Sequence, residues 1–153
     1  MRELISTIIF SDTETYNKAF LGNGMSPEEY SKWITGPSKE WGGIPELKML
    51  AMHYGIKIKV VDVGEGIIYP FGNGEKCIYL MFDGSHYNLG EGPNNQRQFI
   101  GDSHDAGFCA LAQEMRDSGQ WIDPNLFALK CSDCGKALQG QTEAVMHAQE
   151  TKH

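Results

Sequence analysis

The chain has 153 residues, of which 41% are hydrophobic and 22% charged, and its formal net charge is −7. These values are typical of a folded protein and exclude a wholly disordered chain. The acidic balance disfavours non-specific binding to nucleic acid or to anionic membranes. The apolar run over residues 78–82 is too short for a transmembrane helix, and the N-terminus does not look like a signal peptide. We therefore predict a cytoplasmic protein whose cysteines form no disulfide framework.

The first third of the chain carries helical patterns. An apolar stripe predicts an amphipathic helix over residues 2–10. Residues 26–29 read Ser-Pro-Glu-Glu, which combines a capping residue, a proline and the acidic partner of a capping box, so a helix begins there and ends before Gly36. Another helix is predicted over residues 45–54, with Gly55 as its C-cap. The side chains of the first apolar stripe are Leu4, Ile5, Ile8 and Ile9.

The middle of the chain carries strand patterns. Strands are predicted over residues 56–63, 67–70 and 77–82, and the last is apolar enough to lie in the centre of a sheet. Helices followed by strands indicate an α/β or α+β fold, in which a small central β-sheet is flanked by helices. Residues 89–104 are rich in Gly, Asn and Pro and are predicted to be a linker or insertion. A helical pattern resumes at residues 105–118.

The C-terminal end of the chain carries a separate cysteine–histidine module. Cys131, Cys134, His147 and His153 follow the spacing C-x2-C-x12-H-x5-H, which suits tetrahedral zinc. Two thiolates and two imidazoles fill the zinc shell, so the predicted Zn²⁺ is structural and drives the folding of the module. The alternative is two free cysteines and two surface histidines.

The charge of this module bears on whether it binds DNA. Over residues 129–153 its acidic and basic side chains balance to a net charge of zero. A single finger without a basic face has little electrostatic attraction to phosphates. We therefore expect a finger that contacts protein or acts as a scaffold, and no nucleic-acid partner.

His86 is a candidate catalytic residue because it follows the third predicted strand, on a turn that begins Asp83-Gly84-Ser85. Catalytic groups are commonly presented by such loops. Asn88 lies two residues on, so in an extended segment it faces the same side and can fix the imidazole tautomer. The other ring nitrogen could then accept a proton from a nucleophile, as in cysteine–histidine–asparagine hydrolases. A lone histidine near a turn is more often a surface or structural residue.

Several motifs along the chain resemble the ovarian-tumour (OTU) family of ubiquitin-specific cysteine proteases. Residues 82–88 look like the histidine loop of that family, and the C-terminal finger resembles the OTU1-like branch. The other residues that carry the resemblance are Arg2-Glu3-Leu4-Ile5, Ser11-Asp12, Tyr16, Ala19, Leu21-Gly22, Tyr30, Trp33-Ile34, Trp41-Gly42-Gly43, Glu46-Leu47, Leu50, Tyr54 and Val60-Val61-Asp62.

The resemblance implies a domain division and a substrate. It implies a partial OTU protease domain over residues 1–88, a linker over 89–104, a linking helix region over 105–128 and a C2H2 zinc finger over 129–153. The implied activity is thiol-dependent hydrolysis of ubiquitin and polyubiquitin conjugates. In the family, an N-terminal ubiquitin-like domain contacts an AAA ATPase of the valosin-containing type, and the branch is linked to retrotranslocation from the endoplasmic reticulum.

The resemblance also implies roles for individual residues. His86 is the implied general base and Asn88 its orienting partner, a position that is acidic in many members. Trp41, Gly42 and Gly43 would shape the groove for the ubiquitin tail, with Tyr87 as a further substrate-binding residue. The glycines permit close backbone approach, although they could equally form a turn between helices.

The nucleophile is expected to lie outside this sequence. In the family it belongs to an Asp-x-x-Cys loop that precedes the segments matched here. Cys77 lies nine residues before His86, up to about 30 Å along an extended strand, and Cys109 is expected in the core. We therefore expect the chain alone to be inactive and the stripe over residues 4–9 to be partly bare. The alternative function is a non-catalytic ubiquitin-binding adaptor.

Overall fold

The fold was analysed in a computed structural model that describes residues 1–37, 42–123, 126 and 128–152. The chain divides into two compact units. Unit 1 comprises Met1–Ile58 and Pro70–Ile78, and unit 2 comprises Lys59–Tyr69 and Tyr79–His153. The two units are described separately below.

Three of the helices described in unit 1 begin and end close to the residues that the sequence predicts. Helix α1 spans Arg2–Ser11, α2 Lys18–Leu21, α3 Pro27–Thr35 and α4 Ile44–Tyr54. The predicted capping box of α3 is confirmed. The Glu29 N–H donates to Ser26 Oγ at 3.2 Å, and the Ser26 N–H donates to Glu29 Oε2 at 2.7 Å.

The apolar stripe of α1 is the centre of the core of unit 1. Ile5, Ile8 and Ile9 are only 1%, 4% and 0% exposed. Helix α1 packs against α3 and α4, so the chain itself supplies the face that covers these side chains. The expectation that the stripe is partly bare is therefore wrong for these three isoleucines, whereas Leu4 is half-buried against the same core. The other buried members of this core are Tyr16, Leu21, Tyr30, Ile34 and Met49.

Five strands form the larger of the two β-sheets that the structure describes. Strand β1 spans Lys57–Asp62, β2 Ile67–Phe71, β3 Lys76–Phe82, β4 Tyr87–Leu89 and β5 Phe99–Ile100. The strand order is β2-β1-β3-β4, with β5 also paired to β3. The central position predicted for the third strand is confirmed. Strands β3 and β4 are antiparallel, in a register that places Tyr87 opposite Phe82 and Leu89 opposite Leu80.

The segment 89–104, predicted to be a linker or insertion, contains regular structure and a buried side chain. It contains β5, and the ring of Phe99 is only 1% exposed. Its glycines allow close packing rather than flexibility. A methyl group on Gly90 would lie 2.6 Å from Phe108 Cε1, and one on Gly92 would lie 2.9 Å from Phe99 Cε1.

Helix α5, Asp105–Asp117, contributes one of the two carboxylates that pair with the buried Lys59 of β1. The Lys59 side chain is 2% exposed, and its Nζ lies 2.6 Å from both Asp102 Oδ1 and Asp105 Oδ1. It also donates to Tyr79 Oη at 3.2 Å. Burial alone would lower the pKa of Lys59, but the two carboxylates and the phenol outweigh it and raise that pKa. The ammonium therefore stays charged inside the unit, consistent with the rule that buried charges are paired.

The C-terminal module has the strand–strand–helix order of a zinc finger. Strand β6, Ala128–Lys130, pairs antiparallel with β7, Ala137–Gln139, and helix α6 spans Gly140–Thr151. Leu138 on β7 is buried. Among the described residues, no helix combines the length and the apolar character needed to cross a membrane.

The buried stripe of α1 predicts a large difference between two adjacent substitutions. Ile9→Ala should lower the free energy of unfolding by about 2–5 kcal/mol because it opens a cavity in the core of unit 1. Phe10→Ala is the matched control, since Phe10 is 54% exposed, and it should cost less than about 0.5 kcal/mol. Urea unfolding followed by tryptophan fluorescence measures both. Equal losses would contradict the core described here.

Candidate functional site

The candidate histidine loop connects β3 to β4 and is organised by the carboxylate of Asp83. Asp83 Oδ1 accepts hydrogen bonds from the backbone N–H groups of Ser85 and His86 at 2.9 and 2.8 Å. It also accepts one from the Ser85 hydroxyl at 3.0 Å. The Asp83 N–H donates in turn to the His86 carbonyl at 3.2 Å. These bonds fix the backbone that carries the imidazole.

His86 and Asn88 lie together, as the spacing of two residues predicts. His86 Nδ1 lies 3.3 Å from Asn88 Oδ1, and Asn88 Nδ2 donates to Asp83 Oδ2 at 3.3 Å. Because an amide oxygen only accepts, this contact favours the tautomer with its proton on Nδ1. In the neutral ring the lone pair then lies on Nε2, the nitrogen suited to accept a proton. The His86 side chain is exposed, so a reacting group can approach it.

Sequence reasoning missed Asp83 as a member of this site. It hydrogen-bonds to the backbone of His86 and, through its second oxygen, to the side chain of Asn88. Partial burial opposes its ionisation, but the hydrogen bonds from Ser85, His86 and Asn88 outweigh that effect and lower the pKa of Asp83. The signal was present in the sequence, since an aspartate that opens an Asp-Gly-Ser turn commonly accepts from the backbone two residues on.

Of the four residues expected to bind substrate, the structure describes three. Gly43 is the N-cap of α4, which fits the alternative of a turn at a helix end. Its N–H donates to Glu46 Oε2 at 2.6 Å, and Tyr30 donates to the other oxygen of this buried carboxylate. A methyl group on Gly42 would lie 3.4 Å from Glu46 Cγ. Trp41 lies outside the described residues.

Tyr87, the remaining member of this set, begins β4 beside His86. It is half-buried, and its ring centroid lies 4.8 Å from that of Phe82, its partner in the register of β3 and β4. The contact ties the start of β4 to the end of β3. The sheet therefore holds the histidine loop at both of its ends.

The candidate metal centre lies in the finger. One ligand atom from each of Cys131, Cys134 and His147 lies within 4.8 Å of the others, and Cys134 Sγ lies 3.3 Å from His147 Nε2. Backbone N–H groups of Cys134 and Asp133, together with the His147 ring, lower the pKa of Cys131 to about 6. A thiol that ionises readily beside a buried imidazole is the donor set that zinc prefers. The fourth predicted ligand, His153, lies outside the described residues.

Comparisons with known proteins find similarity to proteins named ubiquitin thioesterase OTU1. Residues 125–153 match the family described as the C-terminal C2H2-type zinc finger of ubiquitin thioesterase OTU1. The whole chain is 35% identical to a ubiquitin thioesterase OTU1 of Dictyostelium discoideum, of which it covers 50%. It is 38% identical to the protein of that name in Gallus gallus, covering 53% of it, and 37% identical to that of Homo sapiens, covering 46%. The chain thus spans about half the length of these curated relatives.

A solved structure supports the fold. The chain is similar to a structure described as an ovarian tumour (OTU) domain in complex with ubiquitin, with a TM-score of 0.70 and 23% identity. The match covers 79% of this chain and 73% of that one. The predicted mixed fold, in which a sheet is flanked by helices, is confirmed. The resemblance to the OTU family and its OTU1-like branch is confirmed by the sequence matches.

The Asp83 carboxylate predicts a measurable response of the histidine loop. Asp83→Ala should make the Ser85 and His86 amides exchange with solvent about tenfold faster, because each loses the partner of a net stabilising hydrogen bond. Ser85→Ala removes only the hydroxyl and should leave these amides within about twofold of the wild type. Amide exchange by nuclear magnetic resonance measures both variants.

The same hydrogen bonds set the pH at which the loop loosens. Because the pKa of Asp83 is lowered in the fold, its contribution is present above the usual value of 3.8 and is lost as the pH falls through the lower folded value. The Ser85 and His86 amide shifts should therefore titrate together, with a midpoint below 3.8. A midpoint above that value would contradict the arrangement.

Proposed function

We propose that this chain, which is similar along its whole length to the OTU1 ubiquitin thioesterases, carries the histidine part of a cysteine-protease centre that hydrolyses ubiquitin conjugates. The observation that supports this most directly is the array of His86, Asn88 and Asp83 on an exposed loop at the end of β3. Each member has a physical task in proton transfer. The array is also of the kind found in other thiol hydrolases, where an amide or carboxylate orients the imidazole.

In the proposed reaction, His86 Nε2 accepts the proton of a thiol, and the thiolate attacks the carbonyl carbon of ubiquitin's terminal glycine. The tetrahedral intermediate expels the lysine amine of the conjugate, which takes the proton from His86 as the carbon–nitrogen bond breaks. A water molecule, deprotonated by the same nitrogen, then hydrolyses the thioester and regenerates the thiol. Asn88 keeps the ring in the required tautomer, and Asp83 holds Asn88.

We further propose that the thiol comes from another part of the complete protein. The four cysteines of this sequence have other surroundings. Cys77 lies in β3 and is 1% exposed, Cys109 is half-buried on α5, and Cys131 and Cys134 converge on His147. The relatives are about twice as long as this chain, which leaves room for such a segment.

The substrate-binding residues are proposed from the resemblance. Trp41, Gly42 and Gly43 would contact the extended tail of ubiquitin, and Tyr87 would contact substrate next to His86. What supports Gly42 and Gly43 is that Glu46 holds the turn they form, through the Gly43 N–H. A glycine backbone held in this way can lie close to a peptide that ends in two glycines.

We propose that the finger binds one structural Zn²⁺ through Cys131, Cys134, His147 and His153. Such a metal ion replaces the large apolar core that a module of this size cannot form. We also propose a cytoplasmic protein that acts in retrotranslocation from the endoplasmic reticulum. In that setting, a part of the complete protein outside this sequence would contact the AAA ATPase.

The proposed base predicts the behaviour of His86 variants in the complete protein. His86→Ala should lower kcat on a fluorogenic ubiquitin substrate by about 100- to 10,000-fold, the range for loss of a general base. Asn88→Ala should cause a smaller loss, and Asn88→Asp, which keeps an acceptor oxygen, should retain most of the activity. Initial rates of fluorogenic cleavage, measured at several pH values, give kcat for all three variants.

The 153-residue chain itself is the control for the source of the thiol. It should show no turnover, and it should bind ubiquitin equally well with and without His86→Ala. Turnover by this chain alone would contradict the proposal that the thiol lies elsewhere. A complete protein that binds ubiquitin but shows no turnover even with His86 intact would favour the non-catalytic adaptor instead.

The finger predicts metal binding that depends on particular cysteines. The chain should contain one equivalent of zinc by elemental analysis, and Cys134→Ser should lose it because one of four ligands is removed. In the wild-type chain, removal of zinc by a chelator should abolish the circular-dichroism signal of α6 while the helices of unit 1 remain. Cys109→Ser is the matched control, since this cysteine lies outside the finger. Equal zinc content in the Cys134→Ser variant would contradict the site.

A further inference from the structure

We infer that residues 121–123, called the strap below, position the histidine loop, with Trp121 and Ile122 as positioning residues for His86. The strap follows α5 and precedes the finger, so by position in the chain it would be a spacer. Its contacts within unit 2 assign it a different task. The catalytic meaning of this inference rests on the proposed function of His86, whereas the contacts themselves do not.

A backbone hydrogen bond joins the strap to the residue that organises the histidine loop. The Ile122 N–H donates to the Asp83 carbonyl at 2.7 Å. Asp83 is the residue whose carboxylate holds the His86 N–H and the Asn88 side chain. The strap therefore fixes Asp83 through its main chain, while Asp83 fixes the loop through its side chain.

The strap also packs directly on the tip of the loop. Gly84 has a φ of +95°, a conformation that L side chains rarely adopt. A methyl group on Gly84 would collide with the Ile122 carbonyl oxygen and lie 3.1 Å from the Ile122 carbonyl carbon. Glycine is thus required here for two reasons, its backbone conformation and the close approach of the strap.

The strap and the end of α5 are anchored on the turn that follows β1. Trp121 covers Gly64, where a methyl group would lie 3.0 Å from its Cζ3 atom. Arg116 at the end of α5 donates from Nη1 to the Val63 carbonyl at 2.5 Å. The Val63 N–H donates to the Phe82 carbonyl at 2.9 Å, one residue before Asp83.

These contacts form a closed circuit of bonds. Arg116 is hydrogen-bonded to Val63, and Val63 to Phe82, which precedes Asp83 in the chain. Asp83 is hydrogen-bonded to Ile122, and the chain from Arg116 to Ile122 closes the circuit. The loop side of this circuit is otherwise secured by β4, which has only three residues. Contacts at both ends of a short segment restrict its conformations more than a single contact does. Loss of the strap should therefore loosen the His86 backbone without changing any group that contacts substrate.

The first experiment uses this chain and requires no catalysis. Ile122→Pro removes the N–H donor, and Trp121→Ala removes the ring over Gly64. Both should make the Ser85 and His86 amides exchange at least fivefold faster, the scale expected for losing one backbone hydrogen bond, because Trp121→Ala releases the segment that carries the Ile122 N–H. Gln120→Ala, an exposed residue just before the strap, should leave these rates unchanged. Unchanged exchange in Trp121→Ala would overturn the inference, and zinc content together with the melting curve shows that each variant is folded.

The second experiment uses the complete protein and separates positioning from folding. Trp121→Ala should lower kcat about tenfold with KM within twofold of the wild type, because the substrate surfaces are untouched. Trp121→Phe, which keeps a ring over Gly64, should restore most of kcat. A change in KM alone would overturn the positioning role. Faster amide exchange combined with a fully active His86→Ala protein would place the failure in the proposed function rather than in the strap.

Discussion

The carboxylate of Asp83 is the acceptor on which the geometry of the candidate site depends. One of its oxygens collects the two backbone N–H groups that shape the loop, and the other accepts from the amide of Asn88. Asn88 in turn contacts the imidazole of His86. A single ionised group thus sets both the path of the backbone and the tautomer of the ring. Charge-assisted hydrogen bonds are the stronger kind, which explains how an exposed turn can hold a base in place.

Two ionisable side chains that are buried in the described part of the chain, Glu46 and Lys59, also bond to groups from separate segments. Glu46 joins the start of α4 to Tyr30 in unit 1, and Lys59 joins β1 to Asp102 and Asp105 in unit 2. Because a buried charge costs free energy unless it is paired, each fixes its partners in one arrangement.

The finger and the strap extend this organisation toward the C-terminus. In the finger, two thiols and an imidazole lie close together. Few apolar side chains of this module are buried, Leu138 among them. The strap, just before the finger, is tied to the backbone of Asp83 rather than left as a spacer. The C-terminal third of the chain therefore contributes to the histidine loop through the contacts of the strap.

The sequence alone determined the elements whose signals are local. The α1 stripe, the capping box at Ser26, the central strand over residues 77–82 and the finger spacing each follow from neighbouring residues and periodicity. Tertiary structure decided what depends on distant partners. It showed that α3 and α4 cover Ile5 and Ile9, that the glycine-rich segment after β4 returns to the sheet, and that Lys59, in an alternating pattern typical of an exposed lysine, is buried. The physical reason is that periodicity specifies which face is apolar, whereas pairing of a buried charge or a backbone N–H is fixed only when remote segments meet.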